Sequence, residues 1–329
     1  MGKSLRLDNV ERYSNRKGKM VMKILVTGGA GYIGSELIQY FLDAGHSVQV
    51  IDNLMYDSTS LLRYSTRKEF NFCRADVRNK EVLSKYMEDA DLIIPLAALV
   101  GFPVCDKAPR DAKEINFEVN EWIANNKRPD QKIIYPCTNS GYGKGDNGAC
   151  TEESPLNPVS LYGVTKVQAE TAYKNVDNHV TFRLATVYGP SSRMRSDLLV
   201  NNFVWRALKD RVLVLYECEF MRNYVHIQDV CRAFMFVIDN WDKCKNETYN
   251  VGNDSLNMNK LQLATKISQH IPVEIIKAEF TQDPDVRDYE VSSQKFYDKG
   301  FVCTHDLDIG IEQLLRTYSI IDSPWYGNY

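Results

Sequence analysis

The sequence predicts an α/β protein: a doubly wound parallel sheet followed by a smaller mixed α/β lobe. Three observations lead there. Short apolar strands alternate with helical stretches through the first half of the chain, a glycine-rich turn joins the first strand to the first helix, and the rhythm breaks after about residue 190.

Taken in order, Lys23–Thr27 (KILVT) reads as a strand, Tyr32–Ala44 as an amphipathic helix and Ser47–Ile51 (SVQVI) as the second strand. Phe70–Arg74 is the third strand. Asp91–Ala97 (DLIIPLA) is the fourth, and its unbroken apolar run fits a strand covered on both faces. A helix near Ala108–Lys127 leads to a fifth strand, Lys132–Tyr135, a helix over Ser160–Lys174 and a sixth strand, Val180–Ala185. Beyond a polar turn (GPSSRMRSD) come a helix, a short strand at Val212–Leu215, and helices near Met258–His270 and Ile309–Ile320. The expected organisation is a polar leader over 1–21, a cofactor-binding domain over 22–190 and a substrate lobe over 191–329, with part of the later chain returning to the first domain.

Composition narrows the function. The 329 residues carry 40 Lys plus Arg against 43 Asp plus Glu, a net charge of −3, without the basic excess expected of a nucleic-acid binder. No run approaches the roughly 20 apolar residues of a membrane span, and the leader has no apolar stretch of the secretory kind. Eight widely spaced cysteines without a CxxC pair, and five scattered histidines, fit reduced thiols in a cytoplasmic protein and give a metal site no support.

The first candidate site is the turn Thr27-Gly28-Gly29-Ala30-Gly31-Tyr32-Ile33-Gly34. It satisfies GxGxxG at Gly29, Gly31 and Gly34, and GxxGxxG at Gly28, Gly31 and Gly34. Placed between a strand and a helix, such a loop lets a pyrophosphate approach backbone N–H groups at the positive end of the helix, the arrangement of a Rossmann-type domain. The second strand ends in Ile51-Asp52-Asn53. A carboxylate at Asp52, eighteen residues beyond Gly34, can accept hydrogen bonds from both ribose hydroxyls and would repel a 2′-phosphate, so NAD is expected in preference to NADP. Asp76-Val77 and Leu96-Ala97-Ala98, at the next strand ends, are candidate walls of the same site.

The second candidate is Tyr162 with Lys166. Four residues apart on a helix, the two side chains share a face. A phenol of pKa about 10 is a poor base at neutral pH, but a neighbouring ammonium and a cationic nicotinamide favour the phenolate, which could take a proton from a sugar hydroxyl as hydride leaves the same carbon. Thr138, where the fifth strand stops, is the candidate third hydroxyl, with Ser140 the competitor.

The phrases GGAGYIG, Asp52, the Thr138 turn with Tyr142-Gly143, and YxxxK together resemble the extended short-chain dehydrogenase/reductases acting on nucleotide sugars, over nearly all of residues 22 to 320. Within that family IIPLAALVG, TNSGYG, CTEESPL and RLATVYGPSSRMRSDLLVN resemble the GDP-heptose 4-dehydrogenase branch of capsule synthesis. The resemblance implies a homodimer and a catalytic trio of Thr138, Tyr162 and Lys166. It implies cofactor contacts that include Tyr32, Ile33, Asn53 and Val187. It also implies a substrate surface with Thr138, Asn139, Ser140, Thr186 and Leu198, in which Arg222 and Arg287 hold the diphosphate and Arg193 and Arg195 add to them. The family's 4,6-dehydratases carry Asp and Glu where this chain has Asn139 and Ser140, so oxidation at C4 is expected without dehydration. The 4-ketone is then released with NADH, or reduced again as in a 4-epimerase. A non-catalytic NAD-binding regulator is the expectation from another class, and the intact Tyr–Lys pair argues against it.

Overall fold

The computed structural model describes residues 21–145, 148–278, 287–321 and 327–328; the polar leader lies outside them up to residue 20. The elements in chain order are β1 (Lys23–Thr27), α1 (Tyr32–Asp43), β2 (Ser47–Asp52), β3 (Phe70–Arg74), α2 (Lys80–Glu88) and β4 (Leu92–Pro95). A broken helical stretch follows: α3 (Phe102–Lys107), α4 (Pro109–Lys113), a π turn over Glu114–Glu118 and α5 (Val119–Asn126). Then come β5 (Lys132–Thr138), α6 (Leu161–Lys174), β6 (His179–Leu184), β7 (Thr186–Tyr188), α7 (Leu199–Lys209), β8 (Val212–Tyr216) and β9 (Met221–His226). The chain continues through α8 (Ile227–Asp239), α9 (Trp241–Cys244), β10 (Glu247–Val251), β11 (Asn253–Asn259), α10 (Lys260–Ser268), β12 (Glu274–Ala278), α11 (Gln294–Tyr297) and α12 (Leu307–Tyr318).

Seven strands form one parallel sheet in the order β10-β6-β5-β4-β1-β2-β3. The apolar runs explain the burial. Ile24 to Val26, Leu92 to Ile94 and the whole of β6 are inaccessible or nearly so, because helices cover both faces. On one face Leu37, Ile38 and Phe41 of α1 pack with Val230 and Phe234 of α8; on the other Ile123 of α5 packs with Ala169 and Tyr173 of α6. A third cluster, with Val204, Leu263, Ile311 and Leu314, is the core of the later lobe, where β11-β9-β7 and β12-β8 form two small sheets.

The sequence expectations differ from the structure in a few places. β4 stops at Pro95, which frees Leu96–Ala98 as loop, and the helix expected over Ala108–Lys127 is divided by the π turn. Strand order reverses between β1 and β4, which opens a crevice at the carboxyl ends of the strands.

Candidate active site

One cleft of about 540 Å³ occupies that crevice. At its base the glycine loop leaves β1. Gly28 adopts φ +70°, and a Cβ there would stand 2.5 Å from the Ala97 backbone nitrogen, so only glycine lets the loop lie flush on the end of β4. Gly31 is the N-cap of α1 and supplies no side-chain cap, which leaves first-turn N–H groups of a twelve-residue helix facing the cleft. A pyrophosphate fits such a cradle. Asp52 braces it: its carboxylate accepts from Ala30 N at 3.0 Å and Leu54 N at 2.8 Å. Burial raises its pKa, while these two bonds and the nearby Arg193 act in the opposite direction. Two of roughly four acceptor positions remain for ribose hydroxyls.

Asn53, Val77, Leu96, Ala97, Ala98, Ile33, Gly34 and Val187 line the same cleft. Tyr32 lines it too, while its hydroxyl donates to Gly189 O (2.7 Å) and ties α1 to the loop after β7. Asp76 lines the cleft while chelated by Arg78, whose hydrogen bonds lower its pKa.

On the opposite wall α6 begins at Leu161, capped by Ser160, whose hydroxyl accepts from Gly163 N at 3.2 Å. Tyr162 and Lys166 both line the cleft. The Lys166 ammonium lies 4.2 Å from the Tyr135 ring centroid, a cation–π contact. Burial pushes it down to about 8. Lys166 is not among the main influences on the Tyr162 phenol. Burial dominates and holds the phenol well above its ordinary value; the cations that oppose it are Arg195 and Arg287.

Thr138 ends β5 and caps the turn after it. Its Oγ1 accepts from Ser140 N (3.1 Å) and donates to Ser140 Oγ (3.0 Å), which also accepts from Arg287 Nη1. Thr138 and Ser140 face the cleft, whereas Asn139 between them does not line it; its side chain is buried without a hydrogen-bond partner among the described residues. The tight turn sends alternate side chains to opposite sides, which corrects the substrate contact expected of Asn139.

Thr186, Leu198, Arg193, Arg195, Arg222 and Arg287 also line the cleft. Arg195 pairs with Asp197 at 2.5 Å. Arg222 donates to the Met221 (2.9 Å) and Arg287 carbonyls. Arg193, which the resemblance adds to the substrate surface, lines the cleft but is held by other contacts. Its guanidinium donates to Met194 O, Gly327 O and Asn328 Oδ1, and lies 5.0 Å from the Tyr56 ring, close enough to act on Asp52. That places it at the Asp52 end of the cleft, although no arginine follows Asp52 closely in the sequence.

Sequence reasoning missed Asn116. Fully buried on the π turn, it accepts from Leu99 N (2.8 Å) and donates to Leu99 O (2.9 Å), and its amide also reaches Thr165 Oγ1 (3.3 Å). It therefore pins the loop after β4 to α6 between Tyr162 and Lys166. The available signal was an asparagine at a core position of a helical run. Lys260, which lines the cleft while donating to Tyr216 O, gave no comparable signal.

The sequence model described as the NAD dependent epimerase/dehydratase family matches residues 24–252. The Haloferax volcanii low-salt glycan biosynthesis protein Agl12 is 26% identical over 90% of this chain and 98% of its own length. Protein CapI of Staphylococcus aureus is 30% identical over 64% of this chain and 68% of its own. Among solved structures, UDP-glucuronic acid 4-epimerase from Bacillus cereus, in complex with UDP-glucuronic acid and NAD, superposes with a TM-score of 0.80 at 24% identity, covering 91% of this chain and 100% of that one. dTDP-glucose 4,6-dehydratase from Bacillus anthracis, in complex with NAD, gives 0.76 at 23% identity, covering 93% and 99%.

Proposed function

This chain belongs to the NAD-dependent epimerase/dehydratase family, and from that premise we propose that it oxidises C4 of a nucleotide-diphosphate sugar of the GDP-heptose type, giving a 4-keto sugar and NADH for surface-polysaccharide synthesis. The observation that carries the reading is the convergence of Thr138, Tyr162, Lys166, the glycine loop and four arginines on one cleft. NAD held by the glycine loop would supply the hydride acceptor for C4 and a positive charge that favours the phenolate. Lys166 anchors the nicotinamide ribose and adds its charge to those of Arg195 and Arg287, which already act to lower Tyr162. The Tyr162 phenolate takes the C4 hydroxyl proton directly, while the Thr138 hydroxyl, which donates to Ser140 Oγ in this structure, turns to donate to the C4 oxygen and holds it in place. The C4–H and O–H bonds break as the C=O bond forms. Arg222 and Arg287 meet the diphosphate with charge-assisted hydrogen bonds. Elimination across C5 and C6 needs an acid and a base beside Thr138, and neither Asn139 nor Ser140 supplies one.

GDP-heptose incubated with the protein and added NAD in oxygen-18 water should give NADH, read at 340 nm, and a ketone carrying the label. An epimer without net NADH would move the assignment to 4-epimerisation. A Tyr162→Phe protein that binds NAD normally should lose C4 oxidation; undiminished turnover would remove the mechanism.

A further inference from the structure

We propose that Arg183 is a positioning residue that holds the two halves of the catalytic group in register, an inference that rests on the C4-oxidation reading. Arg183 is the largest fully buried side chain among the described residues, 2% exposed, on a strand whose other members are Val180, Phe182, Leu184, Thr181 and His179. A charge there needs a structural reason, because a buried ion pair is often no more stabilising than a well-packed apolar pair.

The contacts supply one. In the β5·β6 register Arg183 stands opposite Cys137, the residue before Thr138. Its Nη2 and Nε donate to both oxygens of Glu170, at 2.7 and 3.1 Å. Its Nη1 donates to the Tyr142 hydroxyl (2.9 Å) and the Glu152 carbonyl (3.0 Å), and the guanidinium lies 5.2 Å from the Tyr142 ring centroid. Glu170 is on α6, four residues beyond Lys166 and eight beyond Tyr162, so the three form one stripe along the helix. Tyr142 closes the 3₁₀ turn that Thr138 opens, and its hydroxyl donates in turn to Asn250 Oδ1 on β10 (2.7 Å). One planar cation thus fixes both the axial position of the helix bearing Tyr162 and Lys166 and the end of the turn bearing Thr138.

The geometry explains why a bidentate pair suits this place. Tyr162 lies about 12 Å along the helix from Glu170, and a slip of one residue moves it by about 1.5 Å. A misplacement near 1 Å can cost on the order of a hundredfold in rate. An apolar contact would tolerate such a slide, whereas the fork of Arg183 on the Glu170 carboxylate would not.

The test compares Arg183→Lys, Glu170→Gln and the double variant Glu170→Leu/Arg183→Met with the parent. The double variant replaces the pair by apolar groups, so it remains testable if a single variant fails to fold. Folding is checked by circular dichroism and NAD affinity by NADH fluorescence. The expected result is a folded double variant with NAD affinity within about threefold of the parent, kcat lowered ten- to a hundredfold and sugar KM changed less than threefold. The acid limb of its kcat–pH profile should move to higher pH as ammonium and phenol lose alignment. Arg183→Lys, which keeps the charge and loses the fork, should recover less than a tenth of the lost kcat. A folded double variant with parental kcat and pH profile would overturn the proposal. Tyr162→Phe run alongside separates the two failures: if it too keeps full activity the C4-oxidation reading falls, and if it is inactive only the role of Arg183 does.

Discussion

Replacing Lys166 with methionine should make the cofactor-free protein more stable while abolishing turnover. Lys166 as a whole residue is 4% exposed, and burial brings the pKa of its ammonium from the ordinary 10.5 to about 8. The folded state therefore resists the proton that the unfolded chain accepts. Below pH 8 the full cost of holding a buried charge is present; it is relieved as pH rises from 8 toward 10.5, where the unfolded chain binds more protons than the folded one. The gap between the two values corresponds to about 3 kcal/mol at pH 7. Methionine keeps the stem's volume and removes the charge, forfeiting the contact with the Tyr135 ring, worth about 1 kcal/mol. Urea unfolding without nucleotide should place Lys166→Met about 2 kcal/mol above the parent at pH 7, and the gap should close by about 2 kcal/mol at pH 9.5. Comparing variant with parent at each pH cancels the titration of other groups. A variant less stable than the parent at pH 7, or a gap that does not change with pH, would refute the reasoning.

Asp52→Asn keeps one acceptor for the glycine loop and deletes the charge. Charge-assisted bonds are worth about twice neutral ones, so NAD affinity by calorimetry should fall roughly tenfold to a hundredfold while discrimination against NADP shrinks; unaltered discrimination would show that Asp52 only braces Ala30 and Leu54. Arg287→Ala should raise sugar KM at least tenfold in initial-rate assays and leave NAD affinity within about twofold, and an unmoved KM would place the diphosphate elsewhere.

The parallel sheet was legible because strands buried on both faces admit few other residues: KILVT and DLIIPLA read as strands from composition alone. The glycine loop and Asp52 were legible because a fixed local geometry demands them. The remainder depends on long-range contacts. α2 has only two buried positions, Leu83 and Met87, too thin a stripe to read. β10 and β11, ETYNV and NDSLNMN, are polar enough to pass for loop, and only their pairing with β6 and β9 makes them strands. Arg193 reaches the Asp52 end because residues 327 and 328 hold its guanidinium there, a contact spanning more than 130 positions. Asn139 shows a different limit, since a turn's alternation between faces is invisible until the turn type is known.

The return of β10 to the outer side of β6 makes the protein hard to divide. A fragment ending near residue 190 would keep the pairing of β6 with β5 but leave the outer backbone edge of Val180–Leu184 open, a template for self-association. The nucleotide-binding half is sealed only after synthesis has passed Val251, so a truncation meant to isolate it should precipitate instead of folding.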